Sequence, residues 1–161
     1  RNISVKYDNR DTQRPGFKFA EYEMKGVPVR LAIGGRDLEN GTAEIARRDT
    51  KEKQNISREN LDQHIEDLLE DIQQSIYNRA LNFRTENTRE VNSYEEFKTI
   101  LDEKSGFVSA HWDGTSETEK QIKDETKATI RCIPLNNKQE EGICMVTGKP
   151  STQRVLFARG Y

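Results

Sequence analysis

Hydrophobic positions follow two rhythms along the chain, and each predicts an element. Val27, Val29, Leu31 and Ile33 alternate with polar or small residues, so "VPVRLAI" reads as a strand and "TAEIARRD" as its antiparallel return. The segment "GGRDLENG" between them reads as a Gly-rich turn. Leu61, Ile65, Leu68, Leu69, Ile72, Ile76 and Ala80 recur every three or four residues, which predicts a helix from about Arg58 to Arg84. Ser57 is placed to cap it, and Ile56 to staple onto Leu61.

Shorter signals fill the rest. "ISVKY" reads as a strand, and Pro15-Gly16 opens a helix over Phe17 to Lys25 that Gly26 ends. Ser93 with Glu96 and Ser116 with Glu119 match the capping box and start two further helices. "GFVSAHW", "TIRCIPL" and "RVLFARGY" are apolar and β-branched enough to make a second small sheet, the turn "VTGKPS" feeding its last strand. The sum is an α/β fold without internal repeats.

Composition narrows the class. A chain of 161 residues makes one ordinary domain or two small ones, and its periodic apolar runs argue against disorder despite 34% charged residues. No apolar run approaches the roughly 18 residues of a membrane span, and "RNISVKYDNR" is no signal segment, so the expected compartment is the cytoplasm. Two cysteines, Cys132 and Cys144, fit free thiols in a reducing environment. The net charge of −2 hides an asymmetry: residues 1–53 carry 12 Lys and Arg against 9 Asp and Glu, whereas residues 54–104 carry 6 against 12. The basic end is the side to meet a polyanion.

Catalytic signatures are missing. Gly34, Gly35 and Gly41 have the spacing of turns, not of a phosphate-cradling loop, and there is no Gly-x-Ser-x-Gly elbow. His64 lies at the edge of the long helix's apolar stripe and reads as a packing or surface histidine. His111, beside Trp112 in a strand, reads the same way, and Cys132 as a small buried hydrophobe.

"RPGFKFAEYEMKGVPVRLAIGGRDLENG" followed by "ARRDTKEK" resembles the anticodon-binding region of prolyl-tRNA synthetases of the archaeal-eukaryotic type. The resemblance continues through "NRALNFRTENTREVNSYEEFK", "IKDETKATIRCIPL", "EGICMVTGKPS" and "VLFARGY", which look like that type's extra C-terminal domain. It implies an anticodon-binding domain over residues 1–75, with a mixed sheet flanked by helices, and a small α+β C-terminal domain over residues 76–161. The first strand and helix usual in the family's anticodon domain are not found, so the chain looks like a fragment whose catalytic domain lies ahead of it. The resemblance further implies a parent ligase that uses ATP with Mg, acts as a homodimer and attaches proline to its tRNA. No catalytic residue is expected within the fragment itself.

A proline anticodon ends in two guanines, and reading guanine takes both charge signs: a carboxylate for N1 and N2, a guanidinium or ammonium for O6 and N7. Positions similar to Glu23, Arg30, Arg36 and Asp37 are the family's anticodon readers. Arg48 joins them at the anticodon with a backbone phosphate as its partner, and Arg47, Lys53 and Lys18 are further phosphate candidates. The terminal tyrosine, Tyr161, is implied to fold back toward the parent's active site. Four cysteines that bind zinc in many relatives align with Asp113, Thr118, Cys144 and Thr147; one thiol, one carboxylate and two hydroxyls are no structural zinc set, so zinc is predicted absent. Packing of Phe107, Ile130, Ile133 and Phe157 would then have to hold the sheet. Two alternatives stay open: a stand-alone anticodon-domain-like accessory or dimerisation module, and an unrelated small α/β enzyme, which the missing catalytic motifs disfavour.

Overall fold

The computed structural model describes residues 2–104, 106–137 and 139–160. The chain divides into two compact units, Arg1–Ala80 and Leu81–Tyr161. Tyr161 lies outside the described residues.

The first unit begins with helix α1 (Pro15–Met24), which has Pro15 in its first turn, where a missing N–H costs nothing. It ends at Gly26, whose φ of 83° a residue with a Cβ rarely adopts. Strands β1 (Val29–Ala32), β2 (Thr42–Arg47) and β3 (Lys53–Ser57) form an antiparallel sheet in that order, with Val29 opposite Arg47 and Ala32 opposite Glu44. The sheet packs Ile45 against Leu68 and Ile72 of helix α3 (Leu61–Glu86), with Val29, Ile56, Leu61 and Ile65 around them.

Several expectations need correction here. "ISVKY" forms no strand: Val5 and Tyr7 are exposed, and it is the residues just after it that are tied, by ion pairs of Arg10 to Asp8 and to Glu21 on α1. "GGRDLENG" is not a turn but a short helix, α2 (Gly35–Asn40), because Asp37 reaches back to the Gly34 amide and closes its first turn. The long helix starts at Leu61, since Asn60 takes a left-handed φ of 56° and the Ser57 hydroxyl is used on the Glu59 amide just before it. The three strands of this unit pair only antiparallel, and the mixed sheet belongs to the second unit.

That second sheet has the order β4-β5-β9-β6, built from β4 (Thr88–Glu90), β5 (Phe107–His111), β9 (Arg154–Arg159) and β6 (Ala128–Cys132). β4 runs parallel to β5, and β9 runs antiparallel to both its neighbours. Helices α4 (Tyr94–Glu103) and α5 (Ser116–Thr126) supply Phe97, Leu101 and Ile122 to a core with Val108, Ala110, Val155 and Phe157. Phe97 meets Phe157 edge to face, ring centroids 5.2 Å apart. The short hairpin of β7 (Gly142–Ile143) and β8 (Pro150–Ser151) stands apart from the four-stranded sheet.

Ser93 caps α4 as its sequence implies, its hydroxyl accepting the Glu96 amide, whereas the cap of α5 is Thr115 and not Ser116. Ile130 and Phe157 join the core, but Phe107 and Ile133 are partly exposed and lie outside its cluster. Cys132 is exposed as well: a bulge between Ile130 and Cys132 breaks the alternation that would have turned it inward. His111 is buried between Ser151 and Glu140, hydrogen-bonded at 3.1 and 3.0 Å, and Gly142 sits so close that a Cβ there would lie 2.3 Å from its ring.

Candidate nucleic-acid interface

The end of α1, the start of β1 and the β2–β3 turn meet in the first unit and gather charges of both signs. Glu23 is on the last turn of α1, and its carboxylate accepts from Lys51 Nζ at 2.8 Å. Arg48 Nε donates to the Glu23 carbonyl at 3.0 Å, so helix and turn are stitched together twice. The Lys51 bond foremost, with the positive charges of Arg30 and Lys53 behind it, holds the Glu23 carboxyl below its ordinary value. Arg30 leaves β1 over the ring of Phe19, 3.6 Å from its centroid, with Nη1 3.1 Å from Glu44. Its Nε is buried and finds no acceptor among the described residues.

Arg36 and Asp37 stand elsewhere. Both are on α2, which follows the other end of β1, three strand residues or roughly 10 Å from the Glu23 cluster. Arg36 is exposed, while Asp37 accepts from the Gly34 amide at 2.8 Å and the Thr42 hydroxyl at 3.1 Å. The predicted readers thus form two groups along one strand instead of a single cluster.

The phosphate candidates differ in what they have free. Lys53 is exposed at the start of β3. Arg47 is engaged by two carboxylates, Asp49 through a two-point contact at 2.9 and 2.8 Å and Asp71 at 2.7 Å. Lys18 is turned to the Arg10 carbonyl and lies 3.6 Å from Asp8. Sequence reasoning overlooked Lys51, Glu44 and Phe19. Phe19 had a signal, since it lies one helical turn before Glu23 on the same face of α1.

Of the residues aligned with the family's zinc cysteines, Asp113, Thr118 and Thr147 are mutually hydrogen-bonded: the two hydroxyls each donate to Asp113 Oδ2 at 3.0 Å. Cys144 is buried, in the same turn as Thr147. Hydroxyls committed to a carboxylate are poor zinc ligands, and a single thiol does not make a structural set, so these residues do not fit the metal. Among the described residues no helix is long and apolar enough to cross a membrane.

Residues 1–68 match the family described as anticodon binding domain, and residues 94–161 the family described as prolyl-tRNA synthetase, C-terminal. Proline–tRNA ligases of Cytophaga hutchinsonii and Porphyromonas gingivalis are each 63% identical over 161 residues, 100% of this chain. That of Flavobacterium johnsoniae is 59% identical over 159 residues, 99% of the chain. The chain spans about a third of these relatives' own length, 33% and 32% of the first two. The chain therefore corresponds to the C-terminal part of a prolyl-tRNA synthetase, an anticodon-binding domain followed by that enzyme's C-terminal domain.

Proposed function

We propose that this chain reads the anticodon of proline tRNA for an ATP-dependent proline–tRNA ligase whose catalytic domain belongs to the same polypeptide. The observation that carries the reading is the meeting of Glu23, Arg30, Arg48, Lys51 and Lys53 at the end of α1 and the β2–β3 turn. A splayed guanine offers N1 and N2 protons to a carboxylate and O6 and N7 to cations, and this surface holds both within a few ångströms. Glu23 and Arg30 serve one base, Arg36 and Asp37 the other, and the spacing along β1 suits two adjacent nucleotides. Arg48 and Lys53 meet the phosphates between them, with Lys18 as a more distant backbone contact. Arg47 is the weakest phosphate candidate, because Asp49 and Asp71 already take its donors.

The anticodon domain ends within α3, near residue 75, and the rest is the C-terminal domain of a synthetase of the archaeal-eukaryotic type, here with bacterial relatives. The parent is a cytoplasmic homodimer that uses ATP with Mg. The test is binding of a proline anticodon stem-loop to the 161-residue chain at several salt concentrations. Glu23→Gln is expected to weaken the guanine-containing loop by roughly 1–3 kcal/mol and to leave an adenine-substituted loop unaffected. Arg48→Ala is expected to weaken both alike and to lower the salt slope by about one. Equal binding of the two loops by the unsubstituted chain would overturn the assignment.

A further inference from the structure

Asp113 lies in the loop between β5 and α5, and four donors converge on its carboxylate. Oδ1 accepts from the Thr115 amide at 3.2 Å and the Thr115 hydroxyl at 2.9 Å; Oδ2 accepts from the hydroxyls of Thr118 and Thr147, each at 3.0 Å. Three pieces of chain are joined there: the loop itself, the first turn of α5 and the turn that precedes β8. Thr115 doubles as the cap of α5, its hydroxyl accepting the Thr118 amide at 3.3 Å, so the same node fixes where that helix starts. The turn is closed by the Gly148 amide on the Cys144 carbonyl at 2.9 Å and attached to β5 by the Met145 amide on the His111 carbonyl at 3.2 Å. Burial works against the Asp113 charge, but the bonds from Thr115, Thr147 and Thr118 together outweigh it and hold the carboxyl below its ordinary value.

We propose that this carboxylate node is a metal-free counterpart of a structural zinc, the hydrogen bonds of Asp113 to Thr118 and Thr147 doing the cross-linking that thiolates and a metal would do, with Cys144 buried in the same turn as Thr147. Both devices demand the same geometry. Four sulfurs about 2.3 Å from a zinc need four Cβ positions around one centre. Hydroxyls about 3 Å from one carboxylate need nearly the same positions. The two sequence pairs, with four intervening residues in one and two in the other, bring a loop with a helix start and a tight turn together. The inference concerns the C-terminal unit alone and does not depend on the reading of tRNA.

Two variants of the 161-residue chain test it, with zinc content by elemental analysis, thermal melting with and without a chelator, and amide exchange at residues 115–118 and 145–148. The unsubstituted chain is expected to hold no stoichiometric zinc and to melt alike with and without chelator. Asp113→Ala is expected to melt lower and to lose exchange protection in both segments together. The triple variant Asp113→Cys, Thr118→Cys, Thr147→Cys, with Cys144 retained, is expected to take up one zinc per chain, to regain the protection and to lose both to the chelator. If Asp113→Ala does not fold, a folded, zinc-loaded triple variant carries the same conclusion. A triple variant without bound zinc, unchanged melting and exchange in Asp113→Ala, or one equivalent of zinc in the unsubstituted chain would each overturn the proposal.

Discussion

Replacing Asp37 with alanine separates two jobs that one carboxylate is asked to do. Structurally, Asp37 closes the first turn of α2 through the Gly34 amide at 2.8 Å and holds the Thr42 hydroxyl, at the start of β2, at 3.1 Å. Losing a helix cap costs about 1 kcal/mol. Losing the second bond adds about 0.5–1 kcal/mol, the net value of a hydrogen bond whose donor can turn to water. A loss of about 1.5–2 kcal/mol follows, and a unit of this size shifts its Tm by roughly 4–8 °C per kcal/mol. Asp37→Asn keeps one acceptor oxygen and should lose about half as much. If the carboxylate also takes guanine protons, a separate term of roughly 1–3 kcal/mol appears in RNA binding. The two are measured apart by thermal melting of the free chain and by titration with stem-loops carrying guanine or inosine, which lacks the N2 amino group. A variant that melts like the unsubstituted chain refutes the capping argument. A variant that melts low yet discriminates guanine from inosine as before removes Asp37 from the readers.

Arg154→Met should be among the most damaging substitutions in the second unit. Arg154 donates to the Val91 and Ser109 carbonyls at 2.9 and 3.3 Å, to Asn92 Oδ1 at 2.6 Å and to Glu140 at 2.5 Å, so its loss strands several acceptors and should cost about 3–5 kcal/mol. Urea unfolding followed on Trp112, the single tryptophan, checks this, and an unchanged midpoint would contradict it. Arg47→Met tests a pH window. The Arg47 guanidinium, whose hydrogen bonds are the main cause, holds the Asp49 carboxyl below its usual 3.8, so the pair's contribution is present above that pH and fades as pH falls through the lowered value. The variant should melt below the unsubstituted chain at neutral pH and converge with it as pH falls below the usual carboxylate range, and a gap independent of pH would exclude the ion pair as its source.

Elements with a repeating signal were legible before any coordinates. The three-to-four spacing of Leu61 to Ala80 marks α3, which buries Leu68 and Ile72, and the alternation of Val27 to Ile33 marks β1, although Val27, Leu31 and Ile33 stay exposed. What escaped was decided by particular contacts. α2 exists because one aspartate folds back on one amide, and β3, "KQNIS", has only Ile56 partly buried, too little apolar rhythm to announce a strand. Cys132 was misjudged because a bulge resets the alternation, which no local pattern encodes. At the candidate interface the charged types were visible as candidates, but pairing was not. Arg47 and Lys53 look alike in sequence, and only the structure shows the former already committed to two acids and the latter open.

The strand order β4-β5-β9-β6 also has a consequence for how the chain is made. β9 is central, yet it follows all the other strands in sequence, so β6 has no sheet partner until residues 154–159 have left the ribosome. Until then Val108, Ala110, Ile122 and Phe97 lack the strand that brings Val155 and Phe157 against them. Synthesis therefore passes through a stage in which two strand edges and part of an apolar core stand open, the situation in which nascent chains stick to one another or recruit chaperones. A stop codon just before Arg154 would leave this unit without its central strand and unable to close.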